Sequence, residues 1–164
     1  EFLTQIASEY VDVNEYEKAL EPAYLIKISF SRSLALSKIA IAYAKNKELD
    51  TAKKIANGID AEYFKEEALG QIIVQYLKSE KKDEAYRVID SCANISSKDK
   101  LFLIMANYNA QSQDFQNAIG ISNKIKDRLI RLRSFLGIAS ILQKQGYFSE
   151  AIKELFEETL NSFT

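Results

Sequence analysis

"AIAYAKNKELDTAKKIANGI", residues 40–59, puts alanines where a helix core ordinarily holds larger side chains, with one tyrosine and an early glycine. Equal strides from Ala52 reach Ala19 in one direction and Ala85, Ala118 and Ala151 in the other, so one small residue recurs five times without an insertion. Nine residues before these alanines stand Tyr10, Tyr43, Tyr76, Asn109 and Leu142. Twelve before stand Ala7, Ala40, Ile73, Ala106 and Ala139, thirteen before Ile6, Ile39, Ile72, Met105 and Ile138, and sixteen before Leu3, Leu36, Leu69, Phe102 and Phe135. The chain is an internal repeat, and each residue is read by its place in the unit.

The spacing inside a unit is helical. Leu36, Ile39, Ala40 and Tyr43 fall on one helix face, and Ala52, Ile55, Ala56 and Ile59 fall on another. The polar "KNKELD" between them, with "VNEYE", "EKKDE", "QDFQN" and "GYFSE" as its counterparts, predicts short turns. Five glycines and one proline are too few for an all-β chain, whereas good helix formers abound. A single helix pair cannot bury its stripe without a neighbour, so stacking is required. The expectation is an all-α fold, an α-solenoid of about five antiparallel helix-turn-helix repeats forming one domain, 1–164. The pairs span roughly 1–28, 29–59, 60–93, 94–126 and 127–164.

Composition narrows the functional classes. A net charge of -1 lacks the footprint of a general nucleic-acid binder. The chain contains no histidine, which removes the commonest acid-base group and metal ligand. Its one cysteine, Cys92, permits no internal disulfide and shares the apolar column of Ile59 and Ile125, where a small buried hydrophobe is expected. Adjacent carboxylates such as Glu66 and Glu67, or Glu157 and Glu158, point to different sides of a helix and make no catalytic pair. There is no Gly-rich phosphate loop, no run of apolar residues long enough to span a bilayer and no leader pattern. The expectation is a non-enzymatic chain with no cofactor and no metal, and with neither nucleic acid nor membrane as partner. A cytoplasmic location follows from the cysteine usage and the missing leader.

The pattern resembles tetratricopeptide repeats. "GIASILQKQGYFSEAIKEL" matches that family's turn through Gly146, Phe148 and Ala151, and "SEYVDVNEYEKAL" matches it through Tyr10, Asn14, Tyr16 and Ala19. The resemblance covers the whole chain and implies a right-handed solenoid used as an interaction scaffold. Two features depart from it. The period is 33 where the family has about 34, and the proline that closes the family's second helix is absent from each unit. Other stop signals are therefore expected: Gly58 in a left-handed conformation at a helix end, Asp60 as cap of the next helix, and Asp127 and Ser96 or Ser97 as the corresponding caps. These signals arrive early, which predicts a lengthened first helix and a shortened second one, for example Ala61–Ser79 followed by Asp83–Cys92. Pro22 would fall just past the first turn of a helix starting near Glu17. Glu154 and Glu158 replace apolar residues in the last unit and predict a polar capping helix. Leu3 and Ile6 are still repeat-like, so the chain is expected to be a fragment of a longer protein.

The resemblance also implies a groove along the first helices. It places Ser37, Gly70, Leu103 and Leu136 in one row, with Thr4 ahead of them, and Ile41, Val74, Asn107 and Ser140 in a second, with Ser8. Lys45, Lys78 and Lys144 run along a rim. Apolar anchors on the floor and lysines at the rim suit an amphipathic helix or extended segment carrying acidic groups. The family's clamp for a C-terminal carboxylate is not reproduced, since only Asn107 sits at a matching row. A second basic column, Arg32, Lys65, Lys98 and Arg131, is either a ladder for phosphates or an acidic peptide, or a set of ion pairs holding the stack in register. Three functions remain open at this point: a scaffold binding a peptide or helix of another protein, a self-association module within a larger solenoid, and a helical-repeat RNA binder. The third is weakened by the apolar rows and the near-zero charge.

Overall fold

The computed structural model describes residues 2–146 and Glu157, and every regular element among them is a helix. The polar residues Glu154 and Glu158, the fifth alanine Ala151 and the turn residue Phe148 lie outside the described residues. Packing divides the chain into two units, 1–88 and 89–164. The first holds α1 (Phe2–Asp12), α2 (Tyr16–Leu25), α3 (Ser29–Lys45), α4 (Leu49–Asn57) and α5 (Glu62–Lys78), and α6 (Lys82–Asp90) crosses its boundary. The second holds α7 (Ile95–Gln111), α8 (Phe115–Ser122) and α9 (Arg128–Lys144).

First helices are long and second helices short, as the early stop signals predict. The helices α3, α5, α7 and α9 each have 17 residues, against 9, 9 and 8 for α4, α6 and α8. Within the first unit α1 packs on α2 and α3 on α4, while α3 also packs against α1, α2 and α5. In the second, α7 packs on α8 and α9, and α8 on α9. The described alanines of the repeated register are sealed in the core: Ala19, Ala52, Ala85 and Ala118 are all 0% exposed. A methyl group lets two helices of a pair approach closely, and the larger stripe residues Leu36, Ile39, Leu69, Ile72 and Ile73 fill the space beside them. Tyr43 is buried with its ring edge-on to Tyr16, centroids 5.4 Å apart, so the tyrosine row fills the gap to the preceding pair. In the second unit the core gathers Ala110, Ala118, Phe135, Ile138 and Leu142, with Phe115, Ile119 and Ile141 packed against it.

The turn inside each pair is built in one way throughout. Asn14, Lys47, Glu80, Gln113 and Gly146 have φ of 61°, 69°, 59°, 65° and 80°, and they hold the same place in successive units. Around each of the first four runs the same pair of hydrogen bonds. Glu15, Glu48, Lys81 and Asp114 donate N–H groups to the carbonyls of Tyr10, Tyr43, Tyr76 and Asn109 at 2.8, 3.0, 2.9 and 2.9 Å. Asn14, Lys47, Glu80 and Gln113 donate to Val11, Ala44, Leu77 and Ala110 at 3.0 Å each. This is a Schellman closure, which satisfies the last carbonyls of the first helix and needs one left-handed residue. Glu15, Glu48 and Asp114 then serve as the N-cap residues of α2, α4 and α8, so stop and start share a residue.

Several expected stop signals are corrected by this geometry. Gly58 is not left-handed: its φ is -83° and ψ 0°, and α4 tightens through i→i+3 bonds from Gly58 to Ile55 and Ile59 to Ala56 at 3.0 and 3.2 Å. Asp60 does not cap α5, because its carboxylate faces Arg32 and the N-cap position belongs to Ala61. Ser96 and Ser97 are not caps but the capped residues. Asn94 accepts both of their N–H groups, at 2.9 and 3.4 Å. Asp127 caps α9 as expected, accepting from the Ile130 N–H at 2.9 Å. Pro22 lies deeper than a helix from Glu17 would put it, buried in the second turn of α2, where it removes one intrahelical bond.

Candidate functional site

The groove rows meet most clearly between α1 and α3. There a cleft of about 490 Å³ is lined by Ser8, Val11, Asp12, Tyr16, Lys38, Ile41, Ala42 and Lys45. Val11, Ile41 and Ala42 supply its apolar surface, and Asp12, Lys38 and Lys45 supply its charges. Lys38 Nζ lies 3.5 Å from Ser8 Oγ, a weak tether that leaves the ammonium able to turn toward another acceptor. Ile41 is half-buried and Lys45 exposed, so with Ser8 three expected groove residues share one concave site. On α5 the equivalents Val74 and Lys78 are likewise half-buried and exposed.

The row expected at the groove's other side is placed differently. Ser37 is 1% exposed, and its hydroxyl has no hydrogen-bond partner among the described residues. Gly70 is also buried. Both sit on packed faces of α3 and α5, where small residues let helices approach, and neither can touch a ligand in a groove. In the second unit Leu103 and Asn107 are half-buried on α7, while Leu136, Ser140 and Lys144 are exposed on α9. Asn107 Oδ1 lies 3.1 Å from where a Cβ on Gly137 would stand, so this asparagine faces the neighbouring helix at a tight approach.

Two members of the basic column are tied to the ends of second helices. Arg32 on α3 donates to the Ile26 carbonyl beyond α2 at 3.1 Å and pairs with Asp60 at 2.7 Å. The hydrogen bond from Arg32, then its charge, hold the Asp60 carboxyl below the usual carboxylate range. Lys65 on α5 reaches the Asn57 carbonyl at the end of α4, at 3.4 Å. Both cations therefore meet the negative end of a helix dipole and its unpaired carbonyls. Lys98 and Arg131 occupy equivalent positions in α7 and α9, and both are half-buried.

A neighbouring polar row escaped the sequence reading. Asp99 on α7 is 2% exposed, and its two carboxylate oxygens accept the N–H groups of Lys126 and Asp127 at 2.9 and 2.8 Å. Ser33, two periods earlier, accepts the Ala61 N–H at 3.2 Å. Each fastens one first helix to the start of the next. The signal was present, because Ser33, Glu66 and Asp99 recur at one place in successive units and all three are buried. Ser122 and Ser134 add a buried hydroxyl pair at 2.7 Å between α8 and α9.

Two equivalent clefts lie on the turn side of the first unit. One, of about 530 Å³, has Tyr43 with Glu17 and Glu48 in its lining; the other, of about 670 Å³, has Tyr76 with Asp50 and Glu84. Burial first, then the charges of Glu48 and Glu17, push the Tyr43 phenol above its ordinary value, and burial followed by Asp50 and Glu84 does the same to Tyr76. Both phenols stay protonated at neutral pH, where they act as packing groups and not as bases or nucleophiles. Cys92 is half-buried, more open than Ile59 and Ile125 in its column. Among the described residues no group of three or more His, Cys, Asp or Glu side chains is placed to hold a metal ion, and no helix is long and apolar enough to cross a membrane. No protein-family model, curated protein or solved structure matches this chain.

Proposed function

We propose that the chain is a non-catalytic protein-interaction scaffold, a tetratricopeptide-like right-handed α-solenoid that receives a helical or extended segment of a partner along its first helices. The observation that carries this reading is the cleft between α1 and α3, where apolar Val11, Ile41 and Ala42 lie beside Lys38, Lys45 and Asp12. An amphipathic segment would place apolar side chains on this surface and carboxylates against the lysines. The solenoid form is supported by the left-handed turn residue that recurs once per unit and by the buried alanine at the same period. A reducing, cytoplasmic setting accords with the single cysteine.

The test is affinity capture with the folded chain, followed by the same experiment on Ile41→Glu with Val74→Glu. Both side chains are half-buried, so the expected result is loss of the captured protein with the helical circular dichroism retained. Capture that survives both substitutions refutes the groove. Light scattering separates the self-association reading, since a chain that stays monomeric while capturing a foreign protein is not working by self-assembly.

A further inference from the structure

In the second unit the two long helices run parallel and begin at the same edge. Asp99 near the start of α7 bonds the residues just before α9, and Asn107 further along faces Gly137 further along. This edge is strongly basic. The stretch "KIKDRLIRLR", 124–133, holds five basic side chains and one acidic. Two of the edge's carboxylates are turned to the backbone, Asp127 on the Ile130 N–H and Asp99 on the N–H groups of Lys126 and Asp127. Lys126, Arg128 and Arg133 are exposed, and none forms an ion pair among the described residues. Two aliphatic side chains are exposed at the starts of the same helices, Leu129 of α9 at 75% and Ile95 of α7 at 56% exposure. Arg133 lies one turn after Leu129, and the exposed Leu136 lies about one turn further, so one face of α9 alternates apolar and cationic groups.

We propose that this edge docks peripherally on an anionic lipid bilayer, with Leu129 and Ile95 entering the headgroup layer and Lys126, Arg128 and Arg133 meeting its negative charge. A bilayer surface takes both components at once: protruding aliphatic groups gain by leaving water, and each nearby cation gains from the surface potential. A single-stranded nucleic acid would use the cations but needs exposed aromatic rings for its bases, and among the described residues the large exposed hydrophobic side chains of this unit are Ile95, Leu129 and Leu136. The first unit shows the contrast. Phe30 and Tyr63, in the same row as Leu129, are exposed too, but the acidic Asp60 and Glu62 stand beside them and Asp60 takes up Arg32. A membrane partner was not expected from the sequence because no spanning segment is present. A peripheral contact requires none. The proposal stands independently of the groove.

Co-sedimentation of the full chain with vesicles tests it, using phosphatidylcholine alone and phosphatidylcholine mixed with phosphatidylserine. The expected result is partitioning onto the phosphatidylserine vesicles alone, falling as salt is raised. Arg128→Gln with Arg133→Gln should reduce it about 25-fold, at about fivefold for each cation. Leu129→Gln should reduce it about tenfold, whereas Phe30→Ser with Tyr63→Ser should leave it unchanged. Arg128, Arg133 and Leu129 are exposed, so their variants should keep the parent's circular dichroism and thermal midpoint, which separates lost docking from lost folding. Equal partitioning onto phosphatidylcholine alone, or undiminished binding by the double arginine variant, overturns the proposal. So does binding to single-stranded polyuridylate, abolished by the arginine substitutions, with no binding to either vesicle.

Discussion

The left-handed turn residues make a quantitative prediction about stability. Lys47 and Glu80 are exposed side chains held at φ 69° and 59°, a conformation their Cβ atoms resist. For such residues the left-handed region costs about 1–2 kcal/mol. Replacing each with glycine removes that cost while retaining the N–H bonds to Ala44 and Leu77, which belong to the backbone. Glycine also gives the unfolded chain more freedom, worth about 0.5–1 kcal/mol against folding. The net expectation is about 0.5–1 kcal/mol of stabilisation for Lys47→Gly and the same for Glu80→Gly. The two turns make separate backbone bonds, so the double variant should gain about 1–2 kcal/mol. Gly58→Ala is the internal control. At φ -83° an alanine is unstrained, and its Cβ would stand 3.4 Å from the Ile55 carbonyl oxygen, an ordinary contact. It should therefore stabilise by about 0.4–1 kcal/mol through the unfolded state. Urea unfolding followed by far-UV circular dichroism, with slopes compared to confirm an unchanged transition, measures all three. Destabilisation by Gly58→Ala of about 1 kcal/mol or more, with Lys47→Gly and Glu80→Gly neutral or harmful, would show that the left-handed residue has been put in the wrong turn.

Other consequences can be read by similar means. Asp99→Ala leaves the N–H groups of Lys126 and Asp127 without their acceptor in a partly buried setting, and should cost about 2–4 kcal/mol in urea unfolding, with Asp99→Asn recovering part of the loss; a change within about 0.5 kcal/mol contradicts the fastening role. Ala52→Leu should cost about 1–3 kcal/mol by overpacking the contact within a pair, and a neutral effect would mean that the alanine row does not mark close approach. Because the Tyr43 phenol is raised, its contribution to stability is present in full below the unfolded value of about 10 and is lost as pH rises through the folded one. Tyr43→Phe should flatten the alkaline fall in stability, and a spectrophotometric titration in which Tyr43 ionises together with the exposed tyrosines would refute the shift.

Sequence alone revealed the periodic part of the fold because packing writes itself at fixed spacing. Ala52, Tyr43 and Ile39 are core residues for reasons of size and helical phase, and size and phase are visible in one dimension. The stops were less legible. Gly58 was conspicuous because glycine tolerates left-handed backbone, yet tolerance is not use: Lys47 takes that conformation with a side chain that resists it, because two Schellman bonds and the following helix leave no alternative. The site shows a similar split. Ile41 and Lys45 open onto one cleft as their rows suggested, whereas Ser37 and Gly70 are covered by neighbouring helices, and no spacing rule distinguishes a small residue under a helix from one on a groove floor. Asp99 was missed for the opposite reason. A carboxylate on a helix ordinarily faces water, and only the fold brings it to two backbone N–H groups 27 and 28 residues away.

These polar fastenings also explain how the period survives local variation. In the units built on α3 and α5, a helix of 17 residues, a three-residue turn, a second helix of nine and a four-residue link complete one step. In the unit built on α7 the second helix has only eight residues, and the link to α9 is one longer, so the step is unchanged. A helix can end a residue early because its last carbonyls accept i→i+3 bonds, as in the bonds from Lys124 to Ile121 and Ile125 to Ser122 at 3.0 and 3.1 Å. The start of the following helix has less latitude. Ser33 and Asp99 hold the N–H groups just ahead of it from the preceding first helix, so moving that start by one residue would orphan a buried acceptor and turn the apolar stripe by about 100°. The repeat length is thus set at the beginning of each first helix, and the end of the second helix absorbs the remainder.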